Sequence, residues 1–260
     1  MSAVFPDAVF PDEDLSDDLF LRGRLRLLQP LKGYRAATDA VLLAAACPAR
    51  AGQSVLDLGC GAGAASLCLG VRVPGLEQAG LELQPQYVDL ARRNAARNRI
   101  GLEVHQGDLA RMPVALRRDF DHVIANPPWY PPGGTPSPVA ARATAMQVER
   151  PVGEWVAAAA RRLVPGGWLT LIAGADSLPG LLSALAPRMG SGIVLPLAAR
   201  EGREALRIIL RARKGGRAAF RLLAPLVIHK GDAHDGDRES YTPEVNAILR
   251  EGAGLEARLG

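Results

Sequence analysis

From Ser54 onward, short apolar runs alternate with stretches of helical period. Val55 to Leu58, Gln78 to Leu83, Leu102 to His105, Phe120 to Ala125 and Trp168 to Ala173 read as strands, the last after the turn Pro165-Gly166-Gly167. Pro85 to Asn98 spaces Tyr87, Leu90, Ala91 and Asn94 three and four apart, the repeat of one helix face. Strands separated by helices predict an α/β fold with a doubly wound, mostly parallel, Rossmann-like sheet. Ile193 to Leu197 and Leu206 to Leu210 come late and fit a closing antiparallel pair. Ahead of Ser54 the rhythm differs. Leu25 and Leu27 alternate with Arg24 and Arg26, so Leu19 to Gln29 predicts a short strand or hairpin, and Thr38 or Asp39 is placed to cap a helix running to Cys47, ended by Pro48. The expected organisation is an acidic flexible arm over 1–18, a hairpin and helix over 19–50 packed on the core, and a core over 51–260, a single domain overall.

One turn stands out. Asp57-Leu58-Gly59-Cys60-Gly61-Ala62-Gly63 follows the first of these strands and leads into a helix of small residues. The spacing is GxGxG behind an acid, not the GxGxxG of dinucleotide sites. A pyrophosphate calls for N–H groups at a helix N-terminus, whereas a sulfonium amino acid calls for a carboxylate. Asp57 can supply that charge to an amino group, directly or through water. Gly59, Gly61 and Gly63 let the backbone bend and approach a ligand closely. Glu82 ends the second strand, where a carboxylate can accept from both ribose hydroxyls. Asp108 ends the third, placed to accept from an adenine amino group. Each acid alone is more commonly a strand-end cap. Three at successive strand ends, in that order, point to S-adenosyl-L-methionine.

The fourth strand ends in Asn126-Pro127-Pro128-Trp129-Tyr130. Asn-Pro-Pro-aromatic resembles the catalytic motif of amino methyltransferases acting on adenine N6, cytosine N4 or a glutamine amide. An exocyclic amino group is a poor nucleophile because its lone pair is delocalised. Two acceptors on its two N–H bonds, the Asn126 side-chain oxygen and the Pro127 carbonyl, favour a pyramidal nitrogen aimed at the methyl. Trp129 or Tyr130 would stack on a planar base. No metal is required. The stretch from Pro131 to Pro138 reads as a loop able to close over substrate, or as a plain connector.

Composition narrows the setting. The chain has 260 residues, 48% hydrophobic, with a net charge of +4, enough for one large core and without a run long and apolar enough to span a membrane. Met1 to Asp18 carries six acids and no base. That is the reverse of a signal peptide, so a cytoplasmic protein is expected. Cys47, Cys60 and Cys68 have no metal-ligand spacing and fit free thiols in a reducing compartment, with Cys60 a small apolar residue rather than a nucleophile. Two basic stretches, Arg22 to Arg35 and Arg200 to Arg221, could track a phosphate backbone, with Arg24, Arg26 and Lys32 as substrate contacts. The alternative is a solvated surface on an arginine-rich protein. The histidines are poor general-base candidates, and His229 reads as part of a terminal strand.

With these motifs in place, the chain from about residue 19 onward resembles the bacterial tRNA1(Val) adenine-N6 methyltransferase family. The resemblance is carried by Gln29-Pro30, Gly33-Tyr34-Arg35 and Thr38-Asp39-Ala40-Val41-Leu42-Leu43-Ala44-Ala45. It continues through Asp57 to Gly63, Glu82, Asp108, Asn126 to Trp129, Trp155, the Pro-Gly-Gly turn, Leu226 to His229 and Tyr241 to Glu244. It implies a class I methyltransferase fold, S-adenosyl-L-methionine as cofactor, and N6-methylation of an adenine in RNA, a tRNA(Val) base beside the anticodon. It further implies that Arg35, Thr38 and Asp39 lie near the cofactor's methionine end. The acidic arm is outside that pattern, and Trp129 stands where tyrosine or phenylalanine is more usual. A glutamine N5-methyltransferase acting on a release factor or ribosomal protein shares the tetrapeptide, but such enzymes carry a long helical domain before the glycine turn. A DNA adenine methyltransferase needs a separate recognition domain. A non-catalytic cofactor- or RNA-binding protein is a further alternative, set against an intact tetrapeptide. Oligomeric state is left open.

Overall fold

The computed structural model describes residues 9–128, 151–186, 188–231 and 240–260. The described chain enters on an antiparallel hairpin, β1 (Leu15–Phe20) and β2 (Leu25–Pro30), which pairs Leu15 with Pro30 and Phe20 with Leu25. This hairpin begins earlier than the sequence pattern suggests. Asp17 and Asp18, expected in a mobile arm, belong to β1, where Arg26 and Arg97 hold Asp17 and Arg35 holds Asp18. The cations that order them come from β2, from the segment that follows it and from a helix far along the chain, beyond any local pattern. Helix α1 (Thr38–Ala46) follows, with Ala40 to Ala46 all buried, as a helix apolar all round must be. Its cap position is Ala37 and no side chain caps it, contrary to the expectation for Thr38 or Asp39. The Asp39 carboxylate is instead turned toward Arg207.

The main sheet consists of β3 (Ser54–Leu58), β4 (Glu77–Glu82), β5 (Glu103–Gln106), β6 (Phe120–Ala125), β7 (Leu163–Gly174), β8 (Met189–Ala198) and β9 (Ala205–Lys214). Their spatial order is β8-β9-β7-β6-β3-β4-β5, with short β10 (Arg221–Leu222) and β11 (Leu226–Val227) along β8. Every pair in the main sheet is parallel except those of β9, which runs antiparallel to both β7 and β8. The fold is thus the expected Rossmann-like class I arrangement. Alternate residues of the central strands face opposite sides, and both sides are apolar. Ile124, Ile172, Leu195 and Ile209 pack with α1, helix α2 (Ala64–Arg72), the hairpin and the C-terminal Val245, Ile248 and Leu259. Val123, Leu171, Val194 and Leu210 pack with helices α4 (Val152–Arg162) and α5 (Leu178–Leu185).

Helix α3 (Pro85–Asn98) has the boundaries its spacing predicts, and it does more than cover the sheet. Asn94 Oδ1 accepts from Leu28 N at 2.8 Å, and its Nδ2 donates to the carbonyls of Leu28 and Ala62, each at 3.0 Å. One turn later, Asn98 makes the same exchange with Arg26 N and O at 2.9 and 2.8 Å. Residues four apart on a helix advance about 6 Å, close to the two-residue repeat of a strand. Two asparagines thereby pair the open edge of β2 as a neighbouring strand would, an edge otherwise prone to adding another chain.

The sheet order reverses between β3 and β6, one leading outward through β4 and β5, the other through β7. Open α/β sheets bind ligands in the crevice beyond the strand C-termini at such a point. Register pairs Leu58 with Ala125, so Gly59 and Asn126 leave the sheet side by side. Among the described residues no helix is long and apolar enough to cross a membrane.

Candidate active site

The glycine turn that follows β3 needs its glycines for backbone conformation: Gly59, Gly61 and Gly63 have φ of +70°, +54° and +84°. What each would strike if it carried a side chain is more specific. At Gly59 a Cβ would lie 2.8 Å from the Trp155 indole, so this glycine makes room for a buried tryptophan on α4. At Gly61 the nearest atom is Cε1 of Tyr34, at 3.7 Å. The turn is closed by Gly59 N and Cys60 N donating to Leu81 O.

Two carboxyls serve this turn in different ways. Glu82, at the end of β4, accepts from Gly61 N and from Gln84 N, one to each oxygen, both at 2.9 Å. A carboxylate oxygen accepts more than one hydrogen bond, so these amides aim it without closing it to a ligand hydroxyl. Asp57 is buried within β3 and takes 2.7 Å from the Ser66 hydroxyl. Burial pushes its carboxyl up to about 7; Ser66 opposes that shift and the neighbouring Glu82 adds to it. Two buried carboxyls side by side repel a pyrophosphate and favour a ligand that brings positive charge and hydroxyls.

Asp108, beyond β5, is held by Ala110 N on Oδ1 at 2.6 Å. It lines a recess with Gly59, Leu81, Leu83, Gly107, Leu109 and Trp155, mostly apolar walls with one acid. A second recess opens beside Asn126. Its wall includes Tyr34, Arg35, Asp39, Asn126, Pro127 and Arg207. Asn126 Nδ2 donates to the Tyr34 hydroxyl at 3.2 Å. Asp39 pairs with Arg207, and burial raises its carboxyl against the lowering effect of that arginine. Thr38 is the first residue of α1, next to Asp39.

The structure therefore gathers Arg35, Asp39, Asn126 and Pro127 around one opening and Gly59 and Asp108 around the other, with Asp57, Gly61 and Glu82 at the glycine turn. Trp129, Tyr130 and the segment from Pro131 to Pro138 lie outside the described residues, so the stacking and loop-closure expectations stay as such. The basic contacts are corrected in part. Arg24, just before β2, donates to Glu251 O and Arg26 to Asp17; by strand rise they stand about 20 Å and about 14 Å from Pro30. Lys32 alone of the three adjoins the recess in sequence. In the second stretch, Arg200, Arg207, Arg211, Arg213 and Lys214 serve internal contacts: Arg211 lies 4.6 Å from the Trp168 ring, and Lys214 donates to Leu163 O.

Sequence reasoning gave Ser66 no role, met Tyr87 only as a helix-face residue and Arg207 only within a basic stretch, and met Tyr34 only within the resemblance. Arg207 left a trace, a lone charge interrupting the apolar run from Leu206 to Leu210. Ser66 left one too, three residues past Gly63 in the first turn of α2. His229 forms an isolated bridge to Tyr241 rather than part of a strand. Cys60 is packed against Gly80, and burial lifts its thiol well above the usual range. His122 is buried on Gln53 and pushed down to about 4, while His229 stacks on Tyr241 at 5.0 Å. No cluster of metal-ligating side chains exists among the described residues.

A family model described as methyltransferase small domain matches residues 36–180. Among curated proteins, the chain is 29% identical over 227 residues to a tRNA1(Val) (adenine(37)-N6)-methyltransferase of Dickeya chrysanthemi, covering 84% of this chain and 87% of that one. It is 32% identical over 181 residues to a release factor glutamine methyltransferase of Deinococcus radiodurans, covering 62% and 58%. In the first three relatives the match spans 40%, 58% and 27% of their length. Among solved structures, a predicted O-methyltransferase from Agrobacterium tumefaciens superposes with a TM-score of 0.66 at 27% identity, covering 83% of this chain and 97% of that one.

Proposed function

The chain belongs to the methyltransferase small domain family and is S-adenosyl-L-methionine-dependent, and from that premise we propose that it methylates an exocyclic amino nitrogen, N6 of an adenine in RNA, with tRNA(Val) beside the anticodon as the first candidate. The observation that carries this reading is the register of β3 and β6. It sets the starts of the glycine turn and of the Asn-Pro-Pro segment side by side, which supports a reading in which a methyl donor held by the turn would meet the Asn126 amide and the Pro127 carbonyl.

In this reading Asp57 holds the amino group of the cofactor, Glu82 its ribose hydroxyls and Asp108 its adenine, while Arg35, Thr38 and Asp39 lie toward its methionine end. When bound, the cofactor supplies an electrophilic methyl on a sulfonium, a leaving group good enough that no covalent enzyme intermediate is needed. The chain's own part is alignment and electrostatics. Asn126 Oδ1 and the Pro127 carbonyl each accept one N–H of the target, drawing its lone pair out of the ring. Proline at 127 offers no competing N–H and stiffens its neighbour. Trp129 or Tyr130 stacks on the base. A base already unpaired in a loop reaches this recess at the least unstacking cost.

RNA is favoured over a release-factor glutamine because the match to the tRNA enzyme runs nearly the length of both chains, whereas the match to the glutamine enzyme covers 58% of it. The test is incubation with methyl-labelled cofactor and, separately, bulk tRNA, rRNA, DNA and purified release factor, with nucleoside mass spectrometry of the labelled pool. N6-methyladenosine from tRNA is the expected product. Label confined to release factor replaces the acceptor while keeping the chemistry, and label in no pool rejects both.

A further inference from the structure

Tyr34 is an exposed aromatic on a connecting segment, with 51% of its surface in solvent, and its backbone is held by a side chain from α3. The Tyr87 hydroxyl, rising from α3, accepts from Tyr34 N and donates to Tyr34 O, both at 3.0 Å. Gly33 makes this clasp possible. It has φ of +126°, and a Cβ there would stand 3.2 Å from the Tyr87 hydroxyl. Held this way, the Tyr34 ring lies over Gly61 of the glycine turn while its hydroxyl reaches Asn126.

An asparagine amide is nearly symmetric in shape, and a half turn exchanges a double acceptor for a double donor. Only one orientation suits an incoming NH₂ group. With Nδ2 facing the substrate, donors would meet donors and the proposed acceptor would be lost. We propose that Tyr34 is the positioning residue that sets this orientation, its phenol oxygen accepting from Asn126 Nδ2 so that Oδ1 is presented to the acceptor nitrogen. The proposal rests on the reading of Asn126 given above and adds what fixes it. The polarity of the phenol follows from its surroundings. Packing around the hydroxyl, and after it the carboxyls of Asp39, Asp57 and Glu82, hold the phenol protonated well above its ordinary range. A protonated phenol oxygen keeps two lone pairs, and the contact from Asn126 Nδ2 uses one of them.

Tyr34→Phe removes the oxygen and leaves the ring and the Tyr87 clasp on the backbone. The first measurement needs no substrate: ¹⁵N-edited spectra of the side-chain amide of Asn126, identified by its loss in Asn126→Ala. The expected result is that Tyr34→Phe moves this pair of signals and speeds their exchange with water, with the backbone signals of 59–63 in place. Unmoved Asn126 signals overturn the proposal. The second is kinetic, with labelled cofactor and whichever of bulk tRNA and release factor the wild type labels. Tyr34→Phe should lower kcat roughly fivefold to tenfold, the worth of one hydrogen bond, with cofactor Kd and acceptor KM within about twofold. In an Asn126→Ala background it should cost nothing further, because a residue acting through another is silent when that other is gone. Losses that multiply in the double variant overturn the proposal while leaving Asn126 as the acceptor. Wild-type turnover in Asn126→Ala alone overturns the reading of Asn126 and this proposal with it.

Discussion

The two strand ends at the centre of the sheet solve opposite problems. After β3 and β4 the chain assembles negative charge in a dry place: Asp57 buried on Ser66, Glu82 aimed by two backbone amides. After β6 it presents a neutral amide at the rim of an open recess, steered by a phenol from the N-terminal segment. The first arrangement suits a ligand carrying its own positive charge, which offsets the cost of the buried acids. The second suits an uncharged NH₂ group that must be offered acceptors. One side binds by charge and the other selects by hydrogen-bond direction, so substitutions on the two sides should separate cofactor affinity from turnover.

The widest separation is expected at Asn126. Asn126→Ala should keep cofactor affinity within about twofold by calorimetry while methyl transfer falls roughly 10²- to 10³-fold, the loss seen when one aligned polar group is removed from a reacting centre. Equal losses in both would dissolve the distinction. Next is a change that should disturb both sides together. Asn94→Ala strips three hydrogen bonds from the junction of α3, β2 and the glycine turn, leaving Leu28 N, Leu28 O and Ala62 O without that partner. A loss of about 2–4 kcal/mol in unfolding free energy is expected from denaturant titration.

A smaller effect follows from acidity. Asp57 sits up at about 7 in the folded chain against an ordinary 3.8, so between those values the folded form binds the extra proton. Its contribution to the stability of the ligand-free protein therefore falls as pH rises from about 4 through 7. Cofactor binding has the opposite sign. The ionised form meets the incoming positive charge, so affinity should rise by up to about tenfold between pH 6 and 8 with protons released near pH 6.5, and Asp57→Asn should flatten the profile. Calorimetry in buffers of different ionisation heat reads that release directly. Smallest of all should be Arg26→Ala. Its side chain is half exposed and faces Asp17, so it should cost under about 1 kcal/mol and leave the salt dependence of RNA binding unchanged.

That last expectation shows where the sequence misleads. Strands, the glycine turn and the acids were legible because each is written within a few neighbouring residues: an apolar run, then glycine, proline or an acid where the strand must stop. The basic track from Arg22 to Arg35 was not, because its counter-charges come from elsewhere. Arg22 reaches the Glu251 carboxylate, Arg26 reaches Asp17, and Arg35 reaches Asp18. Linear charge counting sees a cluster of cations where the folded chain has partners. Asn94 was equally hidden. Its place on a helix face suggested core packing, and only the meeting of residues 28, 62 and 94 reveals a hydrogen-bond bracket. Gly59 was read as letting the backbone approach a ligand; it lines the Asp108 recess, and its missing side chain also makes room for Trp155, nearly a hundred positions later.

The antiparallel β9 has a consequence for the order of events during synthesis. Arg207, the partner of Asp39 on the wall of the Asn126 recess, rides on that strand. β9 lies between β7 and β8, so it reaches its place only by docking against a strand finished some thirty residues earlier. A nascent chain emerging from the ribosome can fold the glycine turn, the acids and Asn126 into position and still lack one wall. Catalytic competence should therefore appear late in translation, in a single step, when the final hairpin closes the sheet.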